Sequence, residues 1–298
     1  MLADIVSFTA SDGLLLYGAL YEPKAASKNA ILYLHGLGGA FYGASVDKLA
    51  KSAISLGIAV FSIQQRGSYV IESFEYKGGG RKELLAGSAV ERFEDSIKDI
   101  RGALEFLKSR GYTNVILAGK STGCQKAVYY VYKSKDRSVK GIILLSPVDD
   151  YNYDLKNYGG IKEMEKRIKV AKRLSKASKG ALMPSKIMSP GQRIISAERF
   201  LSTSDPARAE GRIFNYSLPK LREFSLIKVP VLVAFGSKDE YLVIPPSKAL
   251  EILRANAGGS FSSFVVKGAG HSLFAGSYFP SNRICSWALS VFSSKEKK

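Results

Sequence analysis

Short apolar runs alternate with longer amphipathic stretches along most of the chain. An apolar run bounded by turn residues is typical of a strand, whereas apolar positions three or four residues apart are typical of a helix. The first two strand-like runs flank "SDG", which predicts an opening antiparallel pair, and a long loop containing "KGGGRK" is predicted after the fourth. The predicted strands are "DIVSFTA", "LLLYGALY", "AILYLHG", "IAVFSIQQRG", "NVILAG", "GIILLSP", "VPVLVAFGSKDE" and "FSSFVVKGAG".

Helical periodicity appears between these runs. Helices are predicted over residues 44–56, 89–110, 122–134, 161–177, 245–256 and 281–293. Strands that alternate with helices favour an α/β fold, in which a mostly parallel sheet carries helices on both faces. Functional sites in such sheets form at the carboxyl ends of the strands. We therefore expect the chemistry in the loops "LHGLGG", "QQRGS", "AGKSTG", "LSPVDD", "GSKDE" and "GAGHS".

An insertion interrupts the alternation between "LSPVDD" and "KVPVLVAFGSKD". It is much longer than a simple crossover needs, and it leaves and returns at the edge where the site is expected. We predict a core of residues 1–150 and 226–298 and a lid or cap of residues 151–225; an inert decoration is the alternative. Residues 161–177 predict a basic amphipathic helix. Its apolar side consists of Ile161, Met164, Ile168, Ala171 and Leu174.

Charge concentrates in this insertion. The chain carries a net +18, and residues 151–228 contain 17 Lys and Arg against 7 Asp and Glu. A basic surface can attract nucleic acid, membranes or anionic ligands, but no helix-turn-helix, zinc-ligand cluster or RNA-binding motif accompanies it. We expect a small-molecule ligand rather than nucleic acid. Without an apolar run long enough for a membrane span, a signal-peptide pattern or a disulfide framework, we expect a reduced, cytoplasmic protein.

The pentapeptide "GKSTG" stands between a predicted strand and a predicted helix. It fits G-x-S-x-G, in which the serine occupies a sharp, strained turn that lifts its hydroxyl above the sheet. Gly119 and Gly123 lie where side chains would collide as strand and helix pass closely. Ser121 is therefore a candidate nucleophile. The alternative is a glycine-rich connection with a serine that caps the helix.

A serine hydroxyl needs a base to act as a nucleophile at neutral pH. The chain has two histidines, and His271 follows the last predicted strand, at the same edge as Ser121. The order nucleophile, acid, histidine along the chain is the one expected for this arrangement. Asp239 is our first choice for the acid that orients the imidazole. Glu240 is second, and Asp149 and Asp150 after the earlier strand are a third option.

The loop "HGLGG" after the third strand predicts an oxyanion hole, which needs backbone N–H donors. Leu37 would offer one donor and Thr122 the other, while His35 would order the loop; a plain flexible turn is the alternative. Glycines that let the backbone approach a substrate are Gly36, Gly38 and Gly39. Side chains expected to line the pocket are Tyr69, Tyr151 and Tyr153. Arg66 and Gly67 are expected to shape the neighbouring loop.

The strings "HGLGG", "GKSTG", "GSKDE" and "GAGH", in this order, resemble the serine esterases of the α/β-hydrolase superfamily. The longer strings "GKSTGCQ", "LLSPVDDYN" and "AERFLSTSDP" are similar to a little-characterised branch that includes fungal siderophore esterases. In that branch the residue before the serine is usually histidine, whereas here it is Lys120, which should need an acidic or carbonyl partner. Cys124 is expected to be packed in the helix rather than reactive.

The resemblance implies hydrolysis of carboxylic esters through an acyl-enzyme, without a metal or cofactor. Ser121 would attack the carbonyl, His271 would move the proton, and the N–H groups of Leu37 and Thr122 would hold the oxyanion. A thioesterase, amidase or peptidase with the same triad stays open, because pocket shape selects the leaving group. A non-catalytic binding protein on the same fold is a further alternative. The basic insertion suggests the hypothesis of anionic or aromatic acyl groups.

Overall fold

A computed structural model of the chain describes residues 2–78, 83–178, 180–185 and 194–294. The strands are β1 (Asp4–Thr9), β2 (Leu15–Tyr21), β3 (Asn29–Leu34), β4 (Ala59–Ile63), β5 (Glu72–Glu75), β6 (Glu83–Ala86), β7 (Asn114–Lys120), β8 (Val139–Leu145), β9 (Val231–Gly236) and β10 (Phe261–Val266). The helices are α1 (Ala44–Ser55), α2 (Ser96–Ser109), α3 (Thr122–Ser134), α4 (Asp150–Asn157), α5 (Ile161–Ala177), α6 (Ala197–Ser204), α7 (Ala209–Ile213), α8 (Arg222–Ser225), α9 (Pro246–Asn256) and α10 (Ser281–Ser293).

The main sheet has the strand order β1-β2-β4-β3-β7-β8-β9-β10. β1 and β2 are antiparallel, as the sequence predicts, and β2 is also antiparallel to β4. From β4 to β10 every neighbouring pair is parallel. The carboxyl ends of β3, β7, β8, β9 and β10 therefore meet at one edge of the sheet, which is where the loops with the candidate residues lie.

Each central strand contributes to two apolar cores, one on either face of the sheet. In β3, Leu32 and Leu34 belong to one core and Ile31 and Tyr33 to the other. This alternation follows from the two-residue period of a strand and explains why parallel strands are apolar throughout. Buried residues of α2, α3 and α9 complete the first core, while those of α1 and α10 complete the second. The predicted α/β sheet with helices on both faces is confirmed.

Two predictions between β4 and β7 were wrong. The helix expected over 89–110 begins only at Ser96, after a single 3-10 turn at Phe93–Asp95. Phe93 packs into the first core from this 3-10 turn, and Ala89 is buried in the turn that precedes it. The predicted long loop contains the antiparallel pair β5 and β6, with Glu72 opposite Ala86. The centre of "KGGGRK", residues 79–82, lies outside the described residues.

The insertion between β8 and β9 contains α4 to α8 and packs in two ways. Its first part has a small core of its own, formed by Tyr158, Met164, Ala171, Met183, Ala197, Phe200 and Leu201. Its last part joins the first core of the sheet through Ile213, Phe214, Leu221 and Phe224. Ile161, expected on the apolar side of α5, is 61% exposed because it stands at the first residue of the helix. The role of residues 151–225 as a lid stays a prediction.

Among the described residues, no helix has the length and apolar character needed to cross a membrane.

Candidate active site

Ser121 occupies a strained turn between β7 and α3. Its backbone φ is +54° and ψ is −125°, a conformation that costs a residue with a side chain about 1–3 kcal/mol and that occurs mostly at functional sites. A Cβ on Gly119 would overlap the backbone of Gly123, and one on Gly123 would overlap the carbonyl of Leu34. Both glycines are therefore required for the strand and helix to approach as closely as this turn demands.

His271 follows β10, and its ring is held by Asp239 from the loop after β9. The Nδ1 atom lies 2.9 Å from Asp239 Oδ1 and 3.1 Å from Oδ2. Because a carboxylate only accepts, Nδ1 carries a proton and donates it in this hydrogen bond. His271 keeps 13% of its side chain exposed, whereas the Asp239 side chain is 1% exposed. The contact fixes the orientation of the ring, and His271 lines the same cavity as Ser121.

The Asp239 carboxyl is kept ionised by its contacts. Burial raises its pKa, but the hydrogen bond and charge of His271, together with the Tyr241 N–H at 3.1 Å, bring it below its ordinary value. Glu240 has a different task, since its Oε2 accepts the backbone N–H of His271 at 2.9 Å. Asp149 caps α4 by accepting the N–H of Asn152. Of the carboxylates considered from the sequence, Asp239 is the one that contacts the imidazole.

Lys120 fixes the other side of the histidine loop. Its Nζ donates to the carbonyl of His271 at 2.6 Å, which supplies the carbonyl partner expected from the sequence. Burial lowers the pKa of this ammonium from its ordinary value, although the charges of Asp239 and Glu240 oppose that effect. Lys120 and Glu240 thus hold the backbone of His271 from two directions.

The glycine loop after β3 approaches Ser121 closely. A Cβ on Gly36 would stand 2.8 Å from the Cβ of Ser121, so only glycine fits there. His35 orders this loop: Nδ1 donates to the carbonyl of Gly36 at 2.7 Å, and Nε2 lies 2.8 Å from Ser68 Oγ. Burial, with the nearby charge of Lys126, lowers the pKa of His35 to about 4, so the ring is neutral at pH 7. His35 is thereby occupied with structure and not available as a base.

A cavity of about 490 Å³ opens at this edge and contains both Ser121 and His271. Among the described residues, no hydrogen bond joins the Ser121 hydroxyl to His271; such bonds are often long before a substrate binds. The lining residues from the glycine loop and from the strained turn at Ser121 are Gly36, Leu37, Gly39, Lys120 and Thr122. From the insertion and the loop after β9, they are Asp150, Tyr153, Asp154, Tyr158, Ile195, Arg199, Phe200, Thr203 and Tyr241.

Three residues expected at the pocket are not among those that line this cavity. Tyr69 is held next to the glycine loop, where its N–H donates to Gly39 O and its own carbonyl accepts from Ser88. Tyr151 packs on the small core of the insertion, because it stands on another side of α4 than Asp150 and Asp154. Gly38, at φ +62°, shapes the turn without facing the cavity.

A buried ionic cluster, missed in the sequence, joins the insertion to the core. Glu91 lies next to Lys126 of α3, with the two charged atoms 2.8 Å apart, and next to Arg199 of α6 at 3.4 Å. All three side chains are nearly inaccessible. A Cβ on Gly67 would overlap the Glu91 carboxylate, so the glycine admits this side chain. Arg66 instead binds Asp99 and Asp12 in a separate cluster.

Cys124 is fully buried, and its thiol contacts the carbonyl of Gly119 at 3.2 Å; burial raises its pKa well above the ordinary value. It is packed as expected. Within the ranges that the structure describes, no group of three or more His, Cys, Asp or Glu residues is arranged to hold a metal ion.

The sheet order, the strained serine turn and the His271 loop together define an α/β-hydrolase fold. DcsB, solved with its substrate analogue, shares it (TM-score 0.67, 14% identity, 98% of this chain and 99% of that one). The siderophore hydrolase EstB from Aspergillus fumigatus shares it with a TM-score of 0.65 and 18% identity, over 94% of this chain and 94% of that one. A monoacylglycerol lipase from Paleococcus ferrophilus shares it with a TM-score of 0.59 and 20% identity, over 93% of this chain and 99% of that one. The chain belongs to the family described as "Protein of unknown function (DUF1749)", whose profile matches residues 14–278. No curated protein matches the sequence.

Proposed function

We propose that the protein is a serine hydrolase that cleaves carboxylic esters through an acyl-enzyme. The observation that carries the proposal is the His271–Asp239 pair at 2.9 Å, opening onto the same cavity as the strained Ser121. Strain of this kind persists only where the surrounding structure enforces it. The fold is shared with a siderophore hydrolase and a lipase, which agrees with the proposal, although at 14–20% identity the likeness speaks for the fold alone.

The reaction would begin when His271 Nε2 takes the proton of Ser121 as its oxygen attacks the ester carbonyl. The carbonyl π bond opens to give a tetrahedral oxyanion. His271 then donates its proton to the leaving alcohol as the C–O bond breaks. Water, deprotonated by the same imidazole, attacks the acyl carbonyl. The bond between Ser121 Oγ and the acyl carbon then breaks, His271 returns its proton to Oγ, and the carboxylic acid leaves. Asp239 stabilises the imidazolium in both halves without taking its proton.

The oxyanion would be held by backbone N–H groups. Thr122 stands at the first position of α3, where its N–H points away from the helix and the helix dipole favours negative charge. Leu37 lies in the glycine loop that approaches Ser121, and both residues line the cavity. Each such donor commonly contributes two to three orders of magnitude in rate.

The direct test is turnover of a p-nitrophenyl ester series from acetate to dodecanoate, with fluorophosphonate labelling of the same protein. We expect hydrolysis with a chain-length optimum set by the cavity and a single label, located at Ser121 by peptide mass. Thioesters and anilides of the preferred acyl group identify the leaving group that is accepted. A protein that hydrolyses none of them and takes no label would contradict the proposal.

Replacing Asp239 by Asn should lower kcat by two to four orders of magnitude. The amide no longer stabilises the imidazolium and favours the wrong tautomer of His271. The matched control is Glu240→Gln, because its amide oxygen can still accept the His271 N–H; we expect less than a fivefold change. Initial rates on the best ester check both variants. Equal losses in the two variants would show that Asp239 is not the orienting acid.

A further inference from the structure

The wall of the cavity formed by α4 is acidic, although the insertion that supplies it is basic overall. Asp150, Tyr153 and Asp154 line the cavity, and their spacing along α4 places them on one helical face. Arg199, which lines the cavity, is bound to Glu210. Other cations of the insertion lie outside the cavity, exposed on α5: Lys162, Lys166, Lys169, Lys172, Arg173 and Lys176. The charge of the outer surface is therefore not the charge that a substrate meets inside.

The two carboxylates are only partly compensated. Asp150 accepts from Gln125 Nε2 at 2.6 Å, and Asp154 accepts from Ser204 Oγ at 2.5 Å; both donors are neutral. The nearby cation, Arg199, is already bound to Glu210 and lies 3.4 Å from Glu91. Lys126 is likewise engaged by Glu91. When they are ionised, the carboxylates of Asp150, Asp154, Glu91 and Glu210 share two cations at this end of the cavity, and negative charge is in excess. The other lining cation, Lys120, is bound to the carbonyl of His271.

Aromatic rings continue the acidic face toward the catalytic histidine. The ring centroids of Tyr153 and Tyr241 are 5.1 Å apart, and those of Tyr241 and His271 are 4.5 Å apart. Carboxylates flanked by aromatic faces form the surroundings that suit an organic cation, which gains from the ring quadrupoles as well as from the charges. The face therefore leads from Ser121 and His271 to a place where a cation would be stabilised.

Two residues that line the cavity carry buried polar atoms without a hydrogen-bond partner. Thr122 is 3% exposed, yet its hydroxyl has no hydrogen-bond partner, and the fully buried Arg199 has no acceptor for its Nε–H. Both residues line the cavity. Buried polar atoms without partners are rare and costly, and the oxygen atoms of an ester substrate could supply the missing bonds.

We propose that this cavity selects esters that carry a positively charged nitrogen group, with Asp150 and Asp154 as the specificity-determining residues. The inference rests on the proposed ester hydrolysis and replaces the hypothesis of anionic substrates drawn from the basic insertion.

Both acids ionise less readily than an ordinary aspartate, so the charge of this face depends on pH. Burial raises the pKa of Asp154 to about 6. The pKa of Asp150 is raised well above its ordinary value, mainly by burial. The negative charges of Glu210, Asp154 and Asp149 raise it further, and the positive charge of Arg199 opposes them. A bound cation favours the ionised form and would lower both pKa values. Measurements are best made at pH 8, above the pKa of Asp154.

The test compares cationic esters with neutral isosteres. Butyrylcholine against 3,3-dimethylbutyl butanoate probes the alcohol side, and p-nitrophenyl 4-(trimethylammonio)butanoate against p-nitrophenyl 5,5-dimethylhexanoate probes the acyl side. For at least one pair we expect kcat/KM to favour the cation by about tenfold or more. Asp150→Asn with Asp154→Asn should reduce this ratio to about threefold or less. The control Glu165→Gln, on exposed α5, should leave the ratio unchanged.

Binding separates failure of this inference from failure of the proposed function. Binding of butyltrimethylammonium to the Ser121→Ala variant can be measured by calorimetry without turnover. We expect saturable binding, and an affinity at least tenfold lower when Asp150→Asn and Asp154→Asn are added. Circular dichroism checks that this variant is folded. Hydrolysis of neutral esters without any preference for the cation would overturn the inference, while the proposed ester hydrolysis would still be supported. If no ester is turned over but the cation still binds and the double Asn variant loses that binding, the proposed esterase function would be overturned and the cation site would be supported. A cation preference that survives the double variant would exclude these residues as its source.

Discussion

Ser121→Ala should abolish nearly all turnover of the preferred ester, with kcat falling by about three to six orders of magnitude. In the proposed reaction, the substitution removes the atom that would form the acyl-enzyme, while His271, Asp239 and the backbone donors remain in place. Substrate binding should persist, because the cavity loses a single hydroxyl. Residual rates above the uncatalysed reaction would come from the oxyanion donors and from binding.

The fold should tolerate this variant. Alanine at φ +54° has the same steric strain as serine. The free energy of unfolding, measured by thermal denaturation, should therefore change by no more than about 0.5 kcal/mol. Cys124→Ala provides the control for an alternative nucleophile in the same helix, and it should retain activity within a few fold. Initial rates and fluorophosphonate labelling check both variants. Equal activity of wild type and Ser121→Ala would refute the assigned role of the serine turn.

The sequence predicts the sheet well because its strands combine two local signals. The central residues of β3, β7 and β8 are apolar and buried, since parallel strands are covered on both faces, and glycine or other turn residues lie at or just beyond the end of each strand. The helix bounds of α5 and α10 agree with the periodicity to the residue. The start of α2 was misplaced because the residues before Ser96 carry apolar side chains whose core contacts do not require helical backbone. Periodicity alone cannot separate these cases.

The serine, aspartate and histidine of the candidate site could be predicted because each lies in a loop that directly follows a strand. The parallel order of β7, β9 and β10 brings the loops that carry Ser121, Asp239 and His271 to one edge of the sheet. Asp150 and Asp154 were harder to interpret: the sequence places them after β8, but only the packing of α4 shows that they face the cavity. Tyr69 and Tyr151 were chosen by residue type near the predicted site, and type does not determine the direction of a side chain. Contacts across long sequence separations carry that information.

The Glu91 cluster illustrates the same limit, and it leads to the largest stability effect that we expect. Glu91→Gln should destabilise the fold by about 3–5 kcal/mol, because it leaves the ammonium of Lys126 buried without a counter-charge. Arg199 is less affected, since Glu210 still binds it. The midpoint and slope of urea unfolding measure the change. The matched control is Glu251→Gln, which removes the charge from an exposed pair with Lys248 and should cost less than about 1 kcal/mol.

A double variant separates an uncompensated charge from a loss of packing. Glu91→Leu combined with Lys126→Met removes both members of the pair, and apolar replacements of buried ion pairs are often neutral or stabilising. We expect it to recover most of the stability that Glu91→Gln loses. If the double variant unfolds as readily as the single one, the cost lies in the shape of the site around Gly67 rather than in charge. If Glu91→Gln costs no more than Glu251→Gln, the cluster contributes little to joining the insertion and the core.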